Sequence, residues 1–251
     1  MADRTLLALE TSTLTLSLAV IRVKERGPAQ VLARRDVPPG PNHSKLLPPL
    51  VDEVLREAGA ELRALDGVAV GLGPGAFTGL RIALATGKGL AWAARLPLCG
   101  GSSLEAMALA AARLAPDAAA VVPLLDARKQ EVYAGFYRPA PGGRVEPLGD
   151  GPAEVVAPPE DVAARLRALR GPIVLLGEGY FAYRTLFDEA TEGLRHAPVE
   201  GLPETPPAPE MGELAARHLA PFSKEAVFAL EPHYLRPSEV ELGLTRPKKR
   251  V

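Results

Sequence analysis

The sequence predicts an α/β fold made of two related lobes with a cleft between them. Each half of the chain begins with segments typical of antiparallel strands, then continues into a helical pattern and a short apolar strand. A glycine-rich turn follows that strand in both halves. The chain has 251 residues, 47% of them hydrophobic, which is enough to bury a substantial core.

The elements of the first half follow from their hydrophobic periodicity. Residues 14–23 alternate as a half-buried strand does, and the preceding Thr11-Ser12-Thr13 turn predicts a hairpin. Gly59 ends the first helix, in which Pro48 and Pro49 are tolerable only near the first turn. In chain order we predict strands at 5–10, 14–23 and 30–36, a helix at 43–58, a strand at 67–72, a helix ending near residue 95 and a strand at 97–99.

The second half repeats this order after a helix that Ser102 and Ser103 can cap. We predict a hairpin of strands 119–126 and 131–138 around a turn at 127–129, a helix at 160–169, a strand at 173–176, a glycine turn at 177–179, a loop at 201–209 and a helix at 210–220. The basic end, 246–251, is interpreted as a solvated tail, with an RNA-contact arm as the alternative.

Composition excludes several classes of protein. With 29 basic and 30 acidic residues, the net charge of −1 provides no broad attraction for nucleic acid or anionic membranes. The single Cys99 rules out an internal disulfide, and with no neighbouring histidine it is interpreted as a buried, inert thiol. No segment approaches the length of a membrane span, and the N-terminus lacks the pattern of a signal peptide, so we expect a soluble cytoplasmic protein.

The strongest local motif is the glycine-rich stretch 71–81, between a predicted strand and a predicted helix. Glycines there leave backbone N–H groups unobstructed at a helix N-terminus, so the loop could cradle an anion. It is neither a P-loop nor a dinucleotide fingerprint. The alternative is a tight strand-to-helix turn in which Phe77 acts as a hydrophobic plug.

The helix after this loop carries two rows of small residues. Gly79, Ala83, Gly87 and Ala91 form one row, and Ala85, Gly89 and Ala93 form the second. Interior glycines cost ~1 kcal/mol each relative to alanine, so they need a packing reason. Packing on the sheet uses one row, and the other could meet a second protein.

The hairpin turn at 9–13 places a carboxylate and hydroxyls at a strand end, which suits either a phosphate site or a satisfied turn. A metal site is poorly supported, because the four histidines are far apart in sequence and none forms a helical pair. No Gly-x-Ser-x-Gly nucleophile motif is present.

Taken together, these segments resemble the bacterial TsaB (YeaZ) family over nearly the whole chain. The matching stretches are Leu9–Thr13, Ser17–Ala19, His43-Ser44 with Leu47-Pro48, Gly71–Arg81, Ser102–Leu104, Asp126–Arg128 with Glu131–Tyr133, and Pro232–Arg236. The resemblance implies an actin/Hsp70-like (ASKHA) fold of two related lobes, each a mixed sheet with flanking helices. We divide the chain accordingly into residues 1–103, 104–225 and a C-terminal segment, 226–251.

The same resemblance implies a role in forming N6-threonylcarbamoyladenosine at position 37 of tRNA. The family is similar to the catalytic paralogue TsaD but is regarded as noncatalytic. TsaD-like proteins carry a His-x-x-x-His metal motif after the small-residue helix, whereas residues 99–107 here contain no histidine. Glu10 stands where most relatives have aspartate, and Arg128, Lys129 and Gln130 replace the glycines of an active second phosphate loop.

The implied partners are a TsaD-type transferase, a TsaE-type ATPase, tRNA through the complex, and a second copy of the chain when TsaD is absent. No cofactor, metal or catalytic residue is expected, and degenerate phosphate loops would involve Thr11, Ser12, Gly73, Gly75 and Gly79. Helices 43–58 and 78–94 would form the partner interface, through Leu47, Leu50, Val51, Val54, Ala83, Gly87 and Ala91. The rival hypothesis is an ATP-dependent phosphotransferase or ATPase of the actin-like superfamily, and a metallopeptidase has almost no support.

Overall fold

Five strands form the first sheet, in the order β3-β2-β1-β4-β5. The computed structural model describes residues 3–25, 27–40 and 42–236. The strands are β1 (Arg4–Glu10), β2 (Leu16–Val23), β3 (Gln30–Val37), β4 (Gly67–Gly71) and β5 (Leu98–Gly101). The first three are antiparallel neighbours, and β4 and β5 extend the sheet in parallel from β1. The basic end 246–251, with its alternative as an RNA-contact arm, lies outside the described residues.

Two helices cover one face of this sheet. They are α1 (His43–Glu57), which packs on β2 and β3, and α2 (Phe77–Ala94), which packs on β4. Gly59 follows α1 with φ +61°, as predicted for a residue that ends a helix. Pro48 and Pro49 lie in the second turn of α1 and not near its start, so our expectation for them was wrong.

The second sheet repeats the pairing of the first. Its strands are β6 (Ala120–Asp126), β7 (Val132–Gly135), β8 (Tyr137–Ala140), β9 (Arg144–Pro147), β10 (Glu154–Ala157) and β11 (Ile173–Leu176). β7 and β8 pair with β6 in a single register, so they are one strand interrupted at Phe136. The order β10-β7-β6-β11 matches β3-β2-β1-β4, in both directions and pairing. This duplication confirms the predicted α/β fold of two related lobes, each with a mixed sheet.

Two helices lie between the sheets. They are α3 (Ser103–Leu114) and α7 (Ala208–Ala215), which contact each other. Ser102 caps α3 by accepting the Glu105 N–H at 3.0 Å, as predicted. α7 belongs to the second half of the chain but packs on the first sheet, where Gly212 approaches Ala8 closely. Our division of the chain near residue 103 remains a prediction. α7 lies beyond that boundary in the chain and packs on the sheet of the first lobe.

The return of α7 corrects our interpretation of β2. We expected a half-buried strand, but residues 16–21 are all buried, since α1 covers one face and α7 the other.

The remaining helices are α4 (Pro159–Arg167), α5 (Glu178–Ala182), α6 (Arg184–Ala190) and α8 (Lys224–Ala229). α8 packs on α2. Within the described ranges, no helix is both long and apolar enough to span a membrane.

Candidate functional site

A cleft of about 530 Å³ opens between the lobes, where the β1–β2 turn faces the end of β6. The first lobe contributes residues 12–14 and 75–77, and the second contributes residues 125–129, Tyr133 and Glu178. Tyr234 and Arg236, from the segment after α8, line the same cleft. The duplicated sheets therefore bring the two hairpin turns, at 11–13 and at 127–130, to opposite sides of one cavity.

The turn at 11–13 and the glycine-rich loop are joined to each other by hydrogen bonds. The Ala76 N–H donates to the Ser12 carbonyl at 2.6 Å, and the Thr11 hydroxyl donates to the Gly79 carbonyl at 2.7 Å. A Cβ at Gly75 would lie 2.3 Å from the Ser12 oxygen, and one at Gly79 would lie 2.0 Å from the Thr11 oxygen. The glycines thus permit close packing of two turns, and the Ala76 amide is used within the molecule.

Gly73 also takes part in this packing, because its carbonyl accepts the Ser103 N–H at 2.8 Å. The five residues predicted for phosphate binding therefore lie together. The two turns that carry them are closely packed and joined by hydrogen bonds. The proposed plug was wrong: Phe77 is 43% exposed and stacks on Tyr234, with ring centroids 5.4 Å apart.

Glu10 ends β1 beneath these turns and is buried. Its carboxylate accepts the Ser12 N–H at 2.7 Å and the Ser103 hydroxyl at 2.8 Å. Burial raises the pKa of Glu10, and these hydrogen bonds oppose the rise. The Ser12 amide, which could otherwise face an anion, therefore donates to an internal carboxylate.

The opposite loop is the turn of the second hairpin. Arg128, Lys129 and Gln130 have φ values of 60°, 54° and 61°, a left-handed run without a glycine. Asp126 accepts the Arg128 N–H at 2.8 Å and also pairs with its guanidinium. Burial, and next the charge of Asp126, raise the pKa of the neighbouring Glu178. Charged side chains therefore occupy this side of the cleft.

No group of three or more histidine, cysteine, aspartate or glutamate side chains in the described part of the chain is placed to hold a metal ion. Ser103 and Met107, at the start of α3, are both buried in the packed interior.

The row Ala83, Gly87 and Ala91, which we assigned to the partner interface, faces the sheet and is buried. A Cβ at Gly87 would lie 2.5 Å from a methyl group of Val70. This part of our interface prediction was wrong, because the glycine row accommodates the sheet. The second row, which is Ala85, Gly89 and Ala93, is exposed.

The interface residues that we assigned to α1 need the same correction. Leu47, Val51 and Val54 are buried in the core against the sheet, and Leu50 is half-buried. Their helical spacing marks the inner face of α1, since an amphipathic helix buries its apolar stripe. The outer face of α1 is polar except for Pro48, Pro49 and Leu46, the last of which is 37% exposed.

A polar cluster at the edge of the lobe junction has no counterpart in our sequence predictions. Glu154, on β10, accepts hydrogen bonds from the Ser102 hydroxyl and from the Tyr137 hydroxyl, the latter at 2.5 Å. Burial, followed by the Glu154 charge, raises the pKa of Tyr137 well above its ordinary value. The β10 strand was not predicted, so nothing in the sequence pattern indicated that Glu154 would reach Ser102.

Cys99 is buried in β5, and burial raises the pKa of its thiol to about 12, against a small opposing effect of Arg4. At pH 8 the thiolate fraction is then on the order of one in ten thousand. We expect no alkylation of the native protein by a maleimide over hours, and one label per chain after unfolding in urea. Rapid labelling of the native protein, measured by intact mass, would contradict this.

Residues 39–234 match the family model described as TsaD, tRNA N6-adenosine threonylcarbamoyltransferase. The chain is 35% identical over 195 residues to the tRNA threonylcarbamoyladenosine biosynthesis protein TsaB of Escherichia coli (strain K12), covering 77% of this chain and 80% of that one. It is 28% identical over 246 residues to TsaB of Bacillus subtilis (strain 168), covering 94% and 96%. A solved Pseudomonas aeruginosa structure, titled as similar to peptidase YEAZ, is 32% identical, with TM-score 0.70 over 93% of this chain and 100% of that one.

Proposed function

The chain belongs to the TsaB (YeaZ) family of tRNA threonylcarbamoyladenosine biosynthesis proteins, and from this premise we propose that it is a noncatalytic scaffold that activates a TsaD-type transferase. The main support for this proposal is that the turn at 11–13 and the glycine-rich loop bond to each other at the cleft. In this position the Ser12 amide donates to Glu10, and the Ala76 amide donates to the Ser12 carbonyl.

Two features support the absence of catalysis. A phosphate would need backbone N–H groups that these turns already use, and its charge would face the buried Glu10 carboxyl. At the start of α3, Ser103 bonds to Glu10 and Met107 packs in the core. These residues offer no imidazole to hold a metal that could activate a threonylcarbamoyl donor.

The partner surface in this proposal is the outer face of α2, with the adjoining outer face of α1. The exposed row Ala85, Gly89 and Ala93 lets another backbone approach closely, and nothing lies within 4 Å of a Cβ at Gly89. We assign this face to the TsaD-type transferase, and to a second copy of the chain when the transferase is absent. The TsaE-type ATPase joins this complex, and tRNA is reached through it in the cytoplasm.

Reconstitution tests the proposal. The TsaD-type transferase, the TsaE-type ATPase and the carbamoyl-adenylate synthase are mixed with tRNA, with and without this protein, and modified adenosine is measured by mass spectrometry. We expect modification only when the protein is present. Full modification without it would refute the scaffold role. Calorimetric titration with Mg-ATP addresses the rival ATPase, since micromolar binding with turnover by the isolated protein would favour that enzyme.

A further inference from the structure

The segment after α8 crosses the mouth of the cleft, and its residues 233–236 are called the C-terminal clasp below. On the first lobe, the His233 N–H donates to the Leu72 carbonyl at 2.8 Å. The Tyr234 ring stacks on Phe77 at an interplanar angle of 30°, and Arg81 donates to the Tyr234 hydroxyl at 3.3 Å. Backbone, aromatic and polar contacts therefore attach the clasp to this lobe.

Arg236 attaches the clasp to the second lobe. Its guanidinium donates to the Ala127 carbonyl at 2.9 Å and also to the Glu131 carboxylate. The Arg236 side chain is 22% exposed, so this charge-assisted pair is partly shielded from water. Ala127 and Glu131 stand at the two ends of the left-handed turn, and the Ala127 N–H donates to the Glu131 carbonyl at 3.0 Å. One guanidinium thus grips both ends of that turn.

The two attachment points of the clasp lie on opposite sides of the cleft. Phe77 and Arg81 belong to the first turns of α2, the helix whose outer face forms the proposed partner surface. The second attachment is the hairpin turn of the other lobe, across the cleft of about 530 Å³. The helices α3 and α7 hold the two sheets together, and the clasp connects the lobes at the cleft mouth.

We propose that Tyr234 and Arg236 are positioning residues, which hold α2 and the second lobe in one relative orientation, and that activation of the transferase depends on this orientation. The activation part rests on the proposed function. If the partner needs this orientation already formed, loss of the clasp lowers its activity more than its affinity, because the exposed row on the outer face of α2 does not include the clasp residues.

The test uses the full chain. Arg236→Gln removes the charge and shortens the side chain, whereas Arg236→Lys keeps the charge and loses the forked geometry. The control is Arg138→Gln, which breaks an exposed ion pair to Glu146 within one lobe. Spin labels at Val31→Cys on β3 and Glu160→Cys on α4, both exposed positions, report the interlobe distance, and the native Cys99 is buried.

We expect Arg236→Gln to broaden the interlobe distance distribution, with circular dichroism unchanged and Arg138→Gln behaving as wild type. In the reconstituted reaction we expect kcat to fall about tenfold while the Kd for the transferase changes less than about threefold, and Arg236→Lys to be intermediate.

An unchanged distance distribution overturns the positioning role. A weakened Kd with unchanged kcat overturns the dependence of activation on orientation and makes Arg236 an interface contact. If the wild-type chain does not activate the transferase, the proposed function fails, and the distance measurement on the isolated chain still decides the positioning role.

Discussion

Gly87→Trp is expected to unfold the protein, whereas Gly89→Trp, two residues further along α2, is expected to keep the fold and abolish partner association. A side chain at Gly87 meets Val70 and Leu98 of the sheet, with Val70 only 2.5 Å from the new Cβ. Inserting a few extra methylenes into a packed core costs ~1–3 kcal/mol, and an indole is far larger. At Gly89 the new side chain projects from an exposed face and blocks close approach of a partner helix.

Alanine at the same positions gives a matched pair of smaller effects. Gly89→Ala is expected to stabilise the protein by about 0.5–1 kcal/mol, since it removes backbone freedom without a contact. Gly87→Ala is expected to destabilise it, because Val70 must shift. Urea denaturation measures all four variants, and light scattering with and without the transferase measures association. Association retained by a folded Gly89→Trp variant would remove the outer face of α2 from the interface.

Glu10→Gln is expected to make the protein more stable than wild type at neutral pH and to remove part of its pH dependence. Burial raises the pKa of Glu10 above its ordinary value of 4.5, so the folded state binds the proton more tightly than the unfolded state. The stability from this proton is fully present below the unfolded pKa and is lost as pH rises through the folded pKa. The loss is about 1.4 kcal/mol per pH unit within that window.

The variant keeps the local hydrogen bonds, because an amide can accept the Ser12 N–H and donate to the Ser103 hydroxyl. The measurement is the free energy of unfolding of both proteins between about pH 4 and pH 8, taken as a difference so that other carboxyls cancel. Exposed Glu160→Gln is the control. Parallel curves for wild type and Glu10→Gln would show that Glu10 is not the titrating group.

Much of the fold could be predicted because strong local patterns coincide with buried elements. The apolar run at 173–176 is β11, and the Ser102 cap and Gly59 stop lie where their side-chain chemistry requires. The duplicated order of hairpin, helix and parallel strand also indicated two related lobes. Short edge strands were missed: β9 and β10 have four residues each, and their alternation is too brief to stand out.

The candidate site was predicted less well, since the pattern identifies faces of a helix without identifying their neighbours. The apolar stripe of α1 and the row at Ala83 and Gly87 were assigned to a partner but pack on the sheet. A stripe meant for the core and one meant for another protein have the same composition. The exposed row at Gly89 was visible in the sequence, and only its position relative to the sheet was missing.

By itself the sequence determined the two-lobed α/β fold, the order of most elements and the family, because these depend on local periodicity and on motifs that are contiguous in the chain. Only the tertiary structure decided which row of α2 faces outward, that the Ser12 and Ala76 amides are used internally, and that Arg236 reaches the second hairpin. Arg236 lies 105 residues from Glu131 along the chain, and such pairings arise from packing that local patterns do not encode.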